Sequence, residues 1–337
     1  MEKQMKTILA KGGSEAQDAG AFILIEQPIP EPGIQDLLIR VIAVGMNPVD
    51  AKFRKRTEGE KVLGWDAYGI VEKTGEGVTG FGAGDKVFYA GDITRPGTNG
   101  EFHLVDQRIV ALAPEKLSPE DAAAMPLTSI TAWEGLFERL GFVPEANANA
   151  GESILIIGGA GGVGSVAIQL ACWAGLKVFA TASRPETVDW CNKLGADTIL
   201  NHRNSLNEEL KAAGADSVDA IFCTTQMEKH WKSMSECIRP QGHIVLIDDP
   251  AALPDITAFK FKSVSLSWEF MYTRSMFGTE DMAEQGKLLS AVAGLLDRGT
   301  LVTTRQKTMI GLTPENIQAM HIKQESGTMI GKQVLVF

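Results

Sequence analysis

The chain has 337 residues, of which 44% are hydrophobic and 22% charged, and its formal net charge is −10. The length suggests two domains, because single hydrophobic cores rarely grow past about 250–300 residues. The acidic balance argues against a nucleic-acid partner or an anionic membrane surface. The apolar stretches are strand-sized and the N-terminus lacks the apolar core of a signal peptide. We therefore expect a cytoplasmic protein without a membrane partner.

Residues 1 to about 117 contain short apolar segments separated by glycine-rich turns. Strands are predicted at 21–25, 36–44, 68–74, 86–89 and 101–105. Prolines and a glycine between the first two segments exclude a helix there. This spacing is typical of a small or partly open β-barrel. A helix is predicted to begin at Ser118, where an N-cap serine is followed by proline and two acids.

From residue 153 to about 267, strands and helices alternate. Strands are predicted at 153–158, 177–182, 197–200, 218–223, 243–247 and 264–268. Six strands joined by helical crossovers indicate an α/β domain with a doubly wound parallel sheet, the Rossmann arrangement. Two further helices are predicted, at 280–297 and after Thr313. The last strand, 332–337, has no crossover partner and is expected to return to the first domain.

A glycine-rich turn follows the first strand of this alternating region. The apolar run Ser153–Ile157 leads into Gly159-x-Gly161-x-x-Gly164, and helical spacing of apolar residues begins directly afterwards. A buried strand, a glycine turn and a helix N-terminus together form a binding site for a dinucleotide pyrophosphate. The backbone amides expected to hold it belong to Ala160, Gly161, Gly162, Val163 and Gly164.

The end of the second strand bears on the choice of nicotinamide cofactor. An NAD site usually has a carboxylate there for the ribose 2′-hydroxyl, but this chain has Ser183 and Arg184. A hydroxyl and a guanidinium suit a phosphate, which favours NADPH. His202 and Arg203, after the third strand, are candidates for a second contact. The same four residues are also compatible with a helix N-cap and solvated surface loops.

Six local sequences in the first half of the chain resemble the medium-chain dehydrogenase/reductase superfamily, and point to its zinc-free quinone oxidoreductase branch. They are GMNPVD (45–50), LGWDAYG (63–69), GDKV (84–87), AAAMPLT (122–128), TAW (131–133) and GGAGGVG (158–164), with Gly331-Lys332 near the end of the chain. The segment WEFMYTRSMF (268–277) is similar to a bacterial subgroup often labelled zinc-type alcohol dehydrogenase-like.

The resemblance implies a β-rich GroES-like domain and a Rossmann domain. The GroES-like domain is predicted to span residues 1–125 and to be completed by about 307–337, and the Rossmann domain to span 126–306. It also implies a homodimer through the exposed edge of the Rossmann sheet, here 263–268.

The zinc ligands of the zinc-dependent relatives are missing from the corresponding positions. The zinc-binding cysteine of these relatives corresponds to a position near Asn47. The histidine of their Gly-His-Glu run corresponds to Trp65. Their third ligand would lie near Gly158, and the stretch that matches their structural-zinc lobe, 91–100, has no cysteine. Because zinc sites are built from Cys, His and carboxylate ligands, we predict no metal.

The resemblance assigns further residues to the site. Asn47 and Thr131 match positions that contact the nicotinamide half of the cofactor, and Lys332 is grouped with the cofactor-binding residues. Asn47 is equally compatible with a turn before a proline. Lys52 occupies a position where some relatives place a tyrosine, so it could donate a proton to a carbonyl oxygen, or it could be a solvated lysine. Phe270, Met271, Tyr272 and Met276 are either a lip over the acceptor or ordinary packed residues.

The leading hypothesis is an NADPH-dependent oxidoreductase that transfers hydride to quinones or α,β-unsaturated carbonyls without a metal. Such acceptors delocalise the developing negative charge themselves, whereas alcohol oxidation loses its main electrophile without zinc. One alternative is a zinc-type alcohol dehydrogenase with an unusual metal site. Another is a non-catalytic NADPH-binding sensor or structural protein.

Overall fold

The computed structural model describes residues 3–252 and 254–337. The chain forms two compact units. Unit 1 contains residues 1–130 and 272–337, and unit 2 contains residues 131–271.

Sixteen strands and ten α-helices occur in the described residues. The strands are β1 Gln4–Lys11, β2 Phe22–Pro28, β3 Asp36–Gly45, β4 Glu60–Val62, β5 Asp66–Thr74, β6 Lys86–Ala90, β7 Phe102–Asp106, β8 Val110–Leu112, β9 Ser153–Ile157, β10 Lys177–Thr181, β11 Thr198–Leu200, β12 Val218–Cys223, β13 Ile238–Leu246, β14 Ser265–Trp268, β15 Arg305–Ile310 and β16 Lys332–Val336. The helices are α1 Pro48–Arg56, α2 Pro119–Ala123, α3 Pro126–Trp133, α4 Gly162–Trp173, α5 Pro185–Lys193, α6 Leu206–Ala212, α7 Met227–Cys237, α8 Thr273–Phe277, α9 Glu284–Asp297 and α10 Pro314–Glu325. A π-helix, Glu134–Arg139, continues α3, and Gln107–Ile109 and Ile256–Lys262 are 3₁₀ helices.

Unit 1 is built from two antiparallel-rich sheets, as the sequence predicts for its first domain. The larger sheet has the strand order β15-β16-β3-β5-β6-β8, with β7 also paired to β3, and the smaller one has the order β2-β1-β4. The final strand β16 pairs antiparallel with β3 and parallel with β15. The predicted return of the last strand to the first domain is therefore confirmed.

Unit 2 is a six-stranded parallel sheet with the order β11-β10-β9-β12-β13-β14. In chain order this is 3-2-1-4-5-6, the Rossmann arrangement, in which ligands bind outside the carboxyl ends of the strands. The central strands are apolar because both faces are covered, and Ile154 to Ile157 of β9 are fully buried. The predicted doubly wound parallel sheet is confirmed.

The bounds of the units differ from the predicted domain bounds of 1–125 with 307–337, and 126–306. Residues 272–306 group with unit 1 rather than with the Rossmann sheet. The physical reason is the packing of α9 against β8 and the 3₁₀ helix before it. A Cβ at Gly286 would lie 2.7 Å from the carbonyl oxygen of Arg108 and 2.9 Å from that of Val110, so only glycine allows this approach.

Several short elements were not predicted from the sequence. They are α1, α8, β1, β4, β8 and β15. The helix α1 begins at Pro48, directly after Asn47, which the sequence predicts to be either a nicotinamide contact or a turn residue. An asparagine N-cap followed by proline is also a helix start, since proline lacks the amide that a first helical turn leaves unpaired. Lys52 therefore lies on a helix.

No helix among residues 3–252 and 254–337 is long and apolar enough to span a membrane. In unit 2, β14 is the last strand of the sheet. Trp268, the last residue of β14, is 52% exposed, and Phe261, in the 3₁₀ helix before β14, is 98% exposed. An apolar sheet edge of this kind is suited to pairing with a second copy, and the homodimer remains a prediction.

A histidine is buried in unit 1 without hydrogen bonds. His321 on α10 is 0% exposed, and neither ring nitrogen has a hydrogen-bond partner among the described residues. Its ring lies 4.7 Å from the ring of Phe22. Burial, assisted by the charge of Arg54, lowers the pKa of His321 from 6.5 to about 3. The folded protein therefore excludes the charged imidazolium at this position.

We expect this histidine to make the fold acid-sensitive. The unfolded chain binds a proton near pH 6.5 and the folded chain only near 3, so stability is present above 6.5 and is lost as pH falls. We compare the free energy of unfolding of wild type with that of His321→Phe. The difference, wild type minus variant, should decrease by about 1.4 kcal/mol for each unit by which the pH is lowered from 6.5 towards 3. Urea unfolding at several pH values measures it. The exposed His243→Gln is the control, and a pH-independent difference for His321→Phe would contradict the prediction.

Candidate active site

Unit 1 contains a buried ion pair at the ends of three elements. Lys332 Nζ donates to Asp66 Oδ2 over 2.7 Å and to the carbonyl oxygen of Met46 over 2.8 Å, and it also donates to Asn47 Oδ1. Asn47 Nδ2 donates to the same Asp66 oxygen over 2.8 Å, and the amide of Leu127 donates to Asp66 Oδ1 over 2.6 Å. Lys332 is 3% exposed, and Asn47 and Asp66 are 0% exposed. The three ammonium protons are thus fully used inside the protein.

A second acid, Asp50, lies beside this pair and was not singled out as a site residue from the sequence. It is 1% exposed. Its Oδ2 accepts from the amide of Asn47 over 2.8 Å and its Oδ1 from the amide of Gly64 over 2.9 Å. Burial raises the pKa of Asp50 from 3.8 to about 7, against the opposing effects of these amides and of Lys332. Asp50 is therefore protonated over much of the range below neutral pH.

Aromatic side chains cover this polar cluster within unit 1. The ring of Trp65 lies 6.1 Å from that of Tyr272, edge to face, and 5.3 Å from that of Phe53. Tyr272 is 1% exposed, and burial together with the charges of Asp50 and Asp66 raises the pKa of its hydroxyl well above 10.0. The phenol therefore stays protonated and can only act as a neutral donor or acceptor.

The predicted acceptor lip is divided between buried and exposed side chains. Tyr272 and Met271 are buried, with 1% and 3% exposure. Phe270 and Met276 are 46% and 45% exposed. Only Phe270 and Met276 therefore present a large apolar surface to solvent, and a contact of any of the four with an acceptor remains a prediction.

In unit 2 the glycine loop has the close packing that a dinucleotide site requires. A Cβ at Gly164 would lie 2.2 Å from the carbonyl oxygen of Gly158, and one at Gly159 would lie 3.0 Å from Ala180 Cβ. Gly161 is the N-cap of α4, and Ser165 N donates to its carbonyl over 2.8 Å. The first-turn amides of Gly162, Val163 and Gly164 have no helical acceptor by position, so they can bind an anion.

One predicted amide has a different role in the loop. Gly161 N donates to the carbonyl oxygen of Gly158 over 3.1 Å, which closes the turn. Ala160 is buried at 8% exposure. Gly158 N in turn donates to Thr181 Oγ1 over 2.9 Å and fixes the loop to the end of β10. The amides of the α4 N-terminus are thus the best placed for a pyrophosphate.

Basic side chains converge at the carboxyl ends of β10 and β11. Ser183 and Arg184 follow β10, and His202 and Arg203 follow its neighbour β11. Burial lowers the pKa of His202, and the positive charges of Lys229, Arg203 and Arg184 lower it further. All three charges thus act on His202, although Arg184 Nε also pairs with Glu186 over 3.2 Å. Lys229, on α7, was missed because it lies far away in the sequence.

The remaining predicted residues are distributed over both units. Lys52 is half-buried on α1 and Thr131 is 5% exposed on α3. Asn47 and Lys332 belong to the buried cluster of unit 1, so a contact of either with a cofactor would require exchanging one of the bonds described above. Their roles at a nicotinamide remain predictions.

The donor set of unit 1 does not fit a zinc ion. Asn47 and Trp65 stand at the two positions that the family resemblance assigns to zinc ligands, and Asp66 is already compensated by the Lys332 ammonium. Within residues 3–252 and 254–337, no group of three or more His, Cys, Asp and Glu side chains could hold a metal ion. An amide, an indole and a paired carboxylate do not make a tetrahedral zinc site.

Comparison with known proteins places the chain in a family. A model described as alcohol dehydrogenase GroES-like domain matches residues 33–147, and one described as zinc-binding dehydrogenase matches residues 162–290. A zinc-type alcohol dehydrogenase-like protein of Staphylococcus aureus (strain MRSA252) is 40% identical over 333 residues, covering 98% of this chain and 99% of the relative. A quinone oxidoreductase of Sus scrofa is 37% identical over 201 residues, or 58% of this chain and 59% of the relative.

The crystal structure of a zinc-dependent alcohol dehydrogenase-type protein from Rhizobium etli CFN 42 agrees over the whole chain. Its TM-score is 0.95 at 47% identity, and the match covers 100% of this chain and 99% of that one. The chain belongs to the medium-chain dehydrogenase/reductase superfamily, in its quinone oxidoreductase-like branch. This medium-chain dehydrogenase/reductase is therefore an oxidoreductase with a nicotinamide-binding Rossmann domain and a GroES-like domain, and the predicted fold class is confirmed.

Because the pKa of Asp50 is raised from 3.8 to about 7, the stability of this oxidoreductase should depend on the Asp50 proton. The folded chain keeps that proton where the unfolded chain has lost it, so the stability is complete below 3.8 and is lost as pH rises through 7. Asp50→Asn removes this titration. The difference in free energy of unfolding, wild type minus variant, should decrease by about 1.4 kcal/mol for each unit by which the pH is raised from 3.8 to about 7, and it should be constant above that.

Denaturant unfolding between these pH limits checks the expectation. The exposed Glu76→Gln, in a turn of the same unit, is the matched control and should show no such slope. A flat difference for Asp50→Asn would mean that Asp50 is ionised in the fold throughout.

Proposed function

We propose that this chain is an NADPH-dependent reductase that transfers hydride to quinones or α,β-unsaturated carbonyls without a metal. The observation that carries the proposal is the buried Asn47–Asp66–Lys332 cluster, which uses the expected ligand positions for hydrogen bonds within the protein. An acceptor at such a site must stabilise its own developing charge. Conjugated carbonyls and quinones do so, whereas simple alcohols and ketones depend on an electrophile.

The basic groups at the ends of β10 and β11 support NADPH rather than NADH. Arg184, Arg203 and Lys229 act together on His202, and Ser183 adds a hydroxyl beside them. A 2′-phosphate would relieve the mutual repulsion of these charges and accept hydrogen bonds from them, which a 2′-hydroxyl cannot do to the same extent. The amides of the α4 N-terminus would hold the pyrophosphate.

When bound, NADPH supplies the hydride, and the residues of the chain orient the reactants and exclude water. Similarity to a quinone oxidoreductase of Sus scrofa and to a 2-methylene-furan-3-one reductase of Solanum lycopersicum supports the acceptor class. The second relative is 37% identical over 231 residues, which is 63% of this chain and 56% of the relative. Both acceptor types are conjugated carbonyl compounds.

A direct test measures consumption of NADPH and NADH by the purified protein with quinones, enones, simple ketones and alcohols, together with its metal content. We expect turnover with conjugated acceptors, preference for NADPH, and no dependence on zinc. Alcohol oxidation that requires stoichiometric zinc would overturn the proposal in favour of an alcohol dehydrogenase. NADPH binding without consumption by any acceptor would favour a sensor or structural protein.

The basic cluster gives a prediction for cofactor affinity. Arg184→Ala and Arg203→Ala should each raise the Kd for NADPH about tenfold, because a hydrogen bond to a charged group contributes about 1.5 kcal/mol. The Kd for NADH should change less than about twofold. Fluorescence titration with both cofactors measures these values.

The matched control for the basic cluster is Lys232→Ala on α7. Its side chain is 88% exposed and pairs with Glu236, so the variant removes a positive charge from the same unit without touching the cluster. Equal weakening of NADPH and NADH binding by the arginine variants would show that they do not recognise the phosphate.

Lys52 remains a candidate proton donor for the carbonyl oxygen. Lys52→Met should lower kcat about tenfold or more, since general acid catalysis typically contributes at least that much, while the Kd for NADPH stays unchanged. Lys55, on the same helix, is exposed and pairs with Glu15, so Lys55→Met is the control. Unchanged turnover of Lys52→Met would remove Lys52 from the mechanism.

A further inference from the structure

The glycine loop of unit 2 has few side chains that could fix its shape. Five of the seven residues from 158 to 164 are glycine, and the other two are Ala160 and Val163. Glycine loses more conformational freedom on ordering than any other residue and offers no side chain for packing. Ordering such a loop at the moment of binding would weaken the binding of an anion. Neighbouring elements must therefore hold the loop in its binding conformation beforehand.

The first half of the loop is held by β10 and α5. Thr181, the last residue of β10, accepts from the amide of Gly158 at Oγ1 over 2.9 Å. Its carbonyl oxygen accepts from the amide of Gly159 over 3.3 Å. Cys191 on α5 is fully buried, and a Cβ at Gly159 would lie only 3.1 Å from its Sγ. The start of the loop is thus in close contact with both elements.

The second half of the loop is held from α5 by a hydrogen bond between two side chains. Trp190 Nε1 donates to Ser165 Oγ over 2.8 Å, and both side chains are buried. Ser165 directly follows the loop, and its amide donates to the carbonyl oxygen of Gly161 over 2.8 Å, which closes the first turn of α4. The indole therefore binds the residue that completes the turn whose amides can bind an anion.

The acceptor of this hydrogen bond distinguishes Trp190 from a residue that only fills the core. A buried indole N–H needs an acceptor, and a backbone carbonyl is sufficient. Trp231, for example, donates to the carbonyl oxygen of Asp255 over 2.9 Å. Trp190 instead binds a hydroxyl in the first turn of α4. Serine hydroxyls in helices otherwise compete for the carbonyl four residues back, so the indole fixes the orientation of Ser165 at the start of the helix.

The same side of α5 also fixes the backbone of a candidate contact for the 2′-phosphate. Thr187 Oγ1 accepts from the amide of Arg184 over 3.1 Å and donates to its carbonyl oxygen over 2.7 Å. Thr187, Trp190 and Cys191 are spaced by three and four residues, and all three are buried. They therefore lie on one side of the helix. Arg184 is held by Thr187, and the glycine loop by the other two.

We propose that Trp190 is a positioning residue for the cofactor, whose bond to Ser165 holds the first turn of α4 ready to bind the pyrophosphate. This role rests on the proposed function only through the assignment of the glycine loop to the pyrophosphate, and it requires no particular acceptor. Trp190 acts through Ser165 and the turn rather than by contact with the cofactor. Loss of the bond leaves the amides of the turn in place but less ordered, so the pyrophosphate binds more weakly.

Trp190→Phe tests this role, because phenylalanine keeps an aromatic ring in the core and removes the indole N–H. The Kd for ADP, NADH and NADPH should each rise about fivefold, which corresponds to one hydrogen bond between neutral groups. Adenosine 2′-monophosphate has no pyrophosphate. Its Kd should stay unchanged, because Thr187 holds Arg184 without the indole. Isothermal titration calorimetry with all four compounds measures these values.

Trp231→Phe is the matched control. Trp231 is 9% exposed and Trp190 is 8% exposed, and each donates from its indole within unit 2. The ring of Trp231 packs on Phe259, at 4.9 Å between centroids. Trp231→Phe should therefore lower stability to a similar extent and leave all four dissociation constants unchanged. Equal weakening of binding by both tryptophan variants would show a general effect of stability and would overturn the inference.

Ser165→Ala removes the other partner of the same bond. It should weaken binding of ADP about as much as Trp190→Phe, and the double variant should be no weaker than either, because a single interaction is lost in all three. Hydrogen–deuterium exchange of a peptide covering residues 158–169 should be about fivefold faster in each variant than in wild type. Additive effects on the Kd, or unchanged exchange, would contradict the proposed role.

These measurements separate failure of this inference from failure of the proposed function. If the cofactors bind but no acceptor is turned over, the proposed function is wrong, and the titrations still decide the role of Trp190. If adenosine 2′-monophosphate does not bind to wild type, ADP and NADH decide it. The inference is overturned if Trp190→Phe binds ADP like wild type, or if ADP and both cofactors fail to bind to wild type. Should Trp190→Phe fail to fold, Ser165→Ala takes its place.

Discussion

The bond between Lys332 and Asp66 is the interaction on which the candidate site of unit 1 depends. It joins the last strand to the start of β5, across 266 residues of sequence, and both groups are almost completely buried. A buried ion pair is stable only when its remaining donors and acceptors are satisfied. Here Asn47, the carbonyl of Met46 and the amide of Leu127 complete it. Replacing either charge alone would leave the other uncompensated, so the site cannot be altered one residue at a time.

This constraint explains why the family name and the chemistry of the site differ. Similarity over the whole chain establishes the fold. Zinc binding depends on a few side chains, and Asn47 and Trp65 stand at the positions that the family resemblance assigns to zinc ligands. The ammonium of Lys332 supplies a buried positive charge, but its three protons are used and it offers no open coordination position. Sharing a fold with zinc-dependent enzymes therefore does not mean that a protein catalyses their reaction.

The architecture could be predicted from the sequence because the patterns that indicate it are local. The alternation of strands and helices predicted the order of unit 2, and the spacing of Gly159, Gly161 and Gly164 predicted the turn that their packing requires. The polar cluster could not be predicted from the sequence, because Asn47, Asp66 and Lys332 meet only after β3, β5 and β16 have paired. The unit bounds were missed for the same reason, since the contact of α9 with β8 leaves no pattern in either segment. The helix after Asn47 had a local signal, an N-cap and a proline, which a turn also explains.

Burial acts on acids in both units. In unit 2 it raises the pKa of Glu269, which pairs with Arg139. In unit 1 one cation, Lys332, compensates Asp66, and the second acid, Asp50, has its pKa raised to about 7. Because the unit 1 cluster contains two carboxyls and one cation, a proton is the simplest means of removing the surplus charge. The charge state of this cluster then depends on pH although none of its ionisable residues is a histidine.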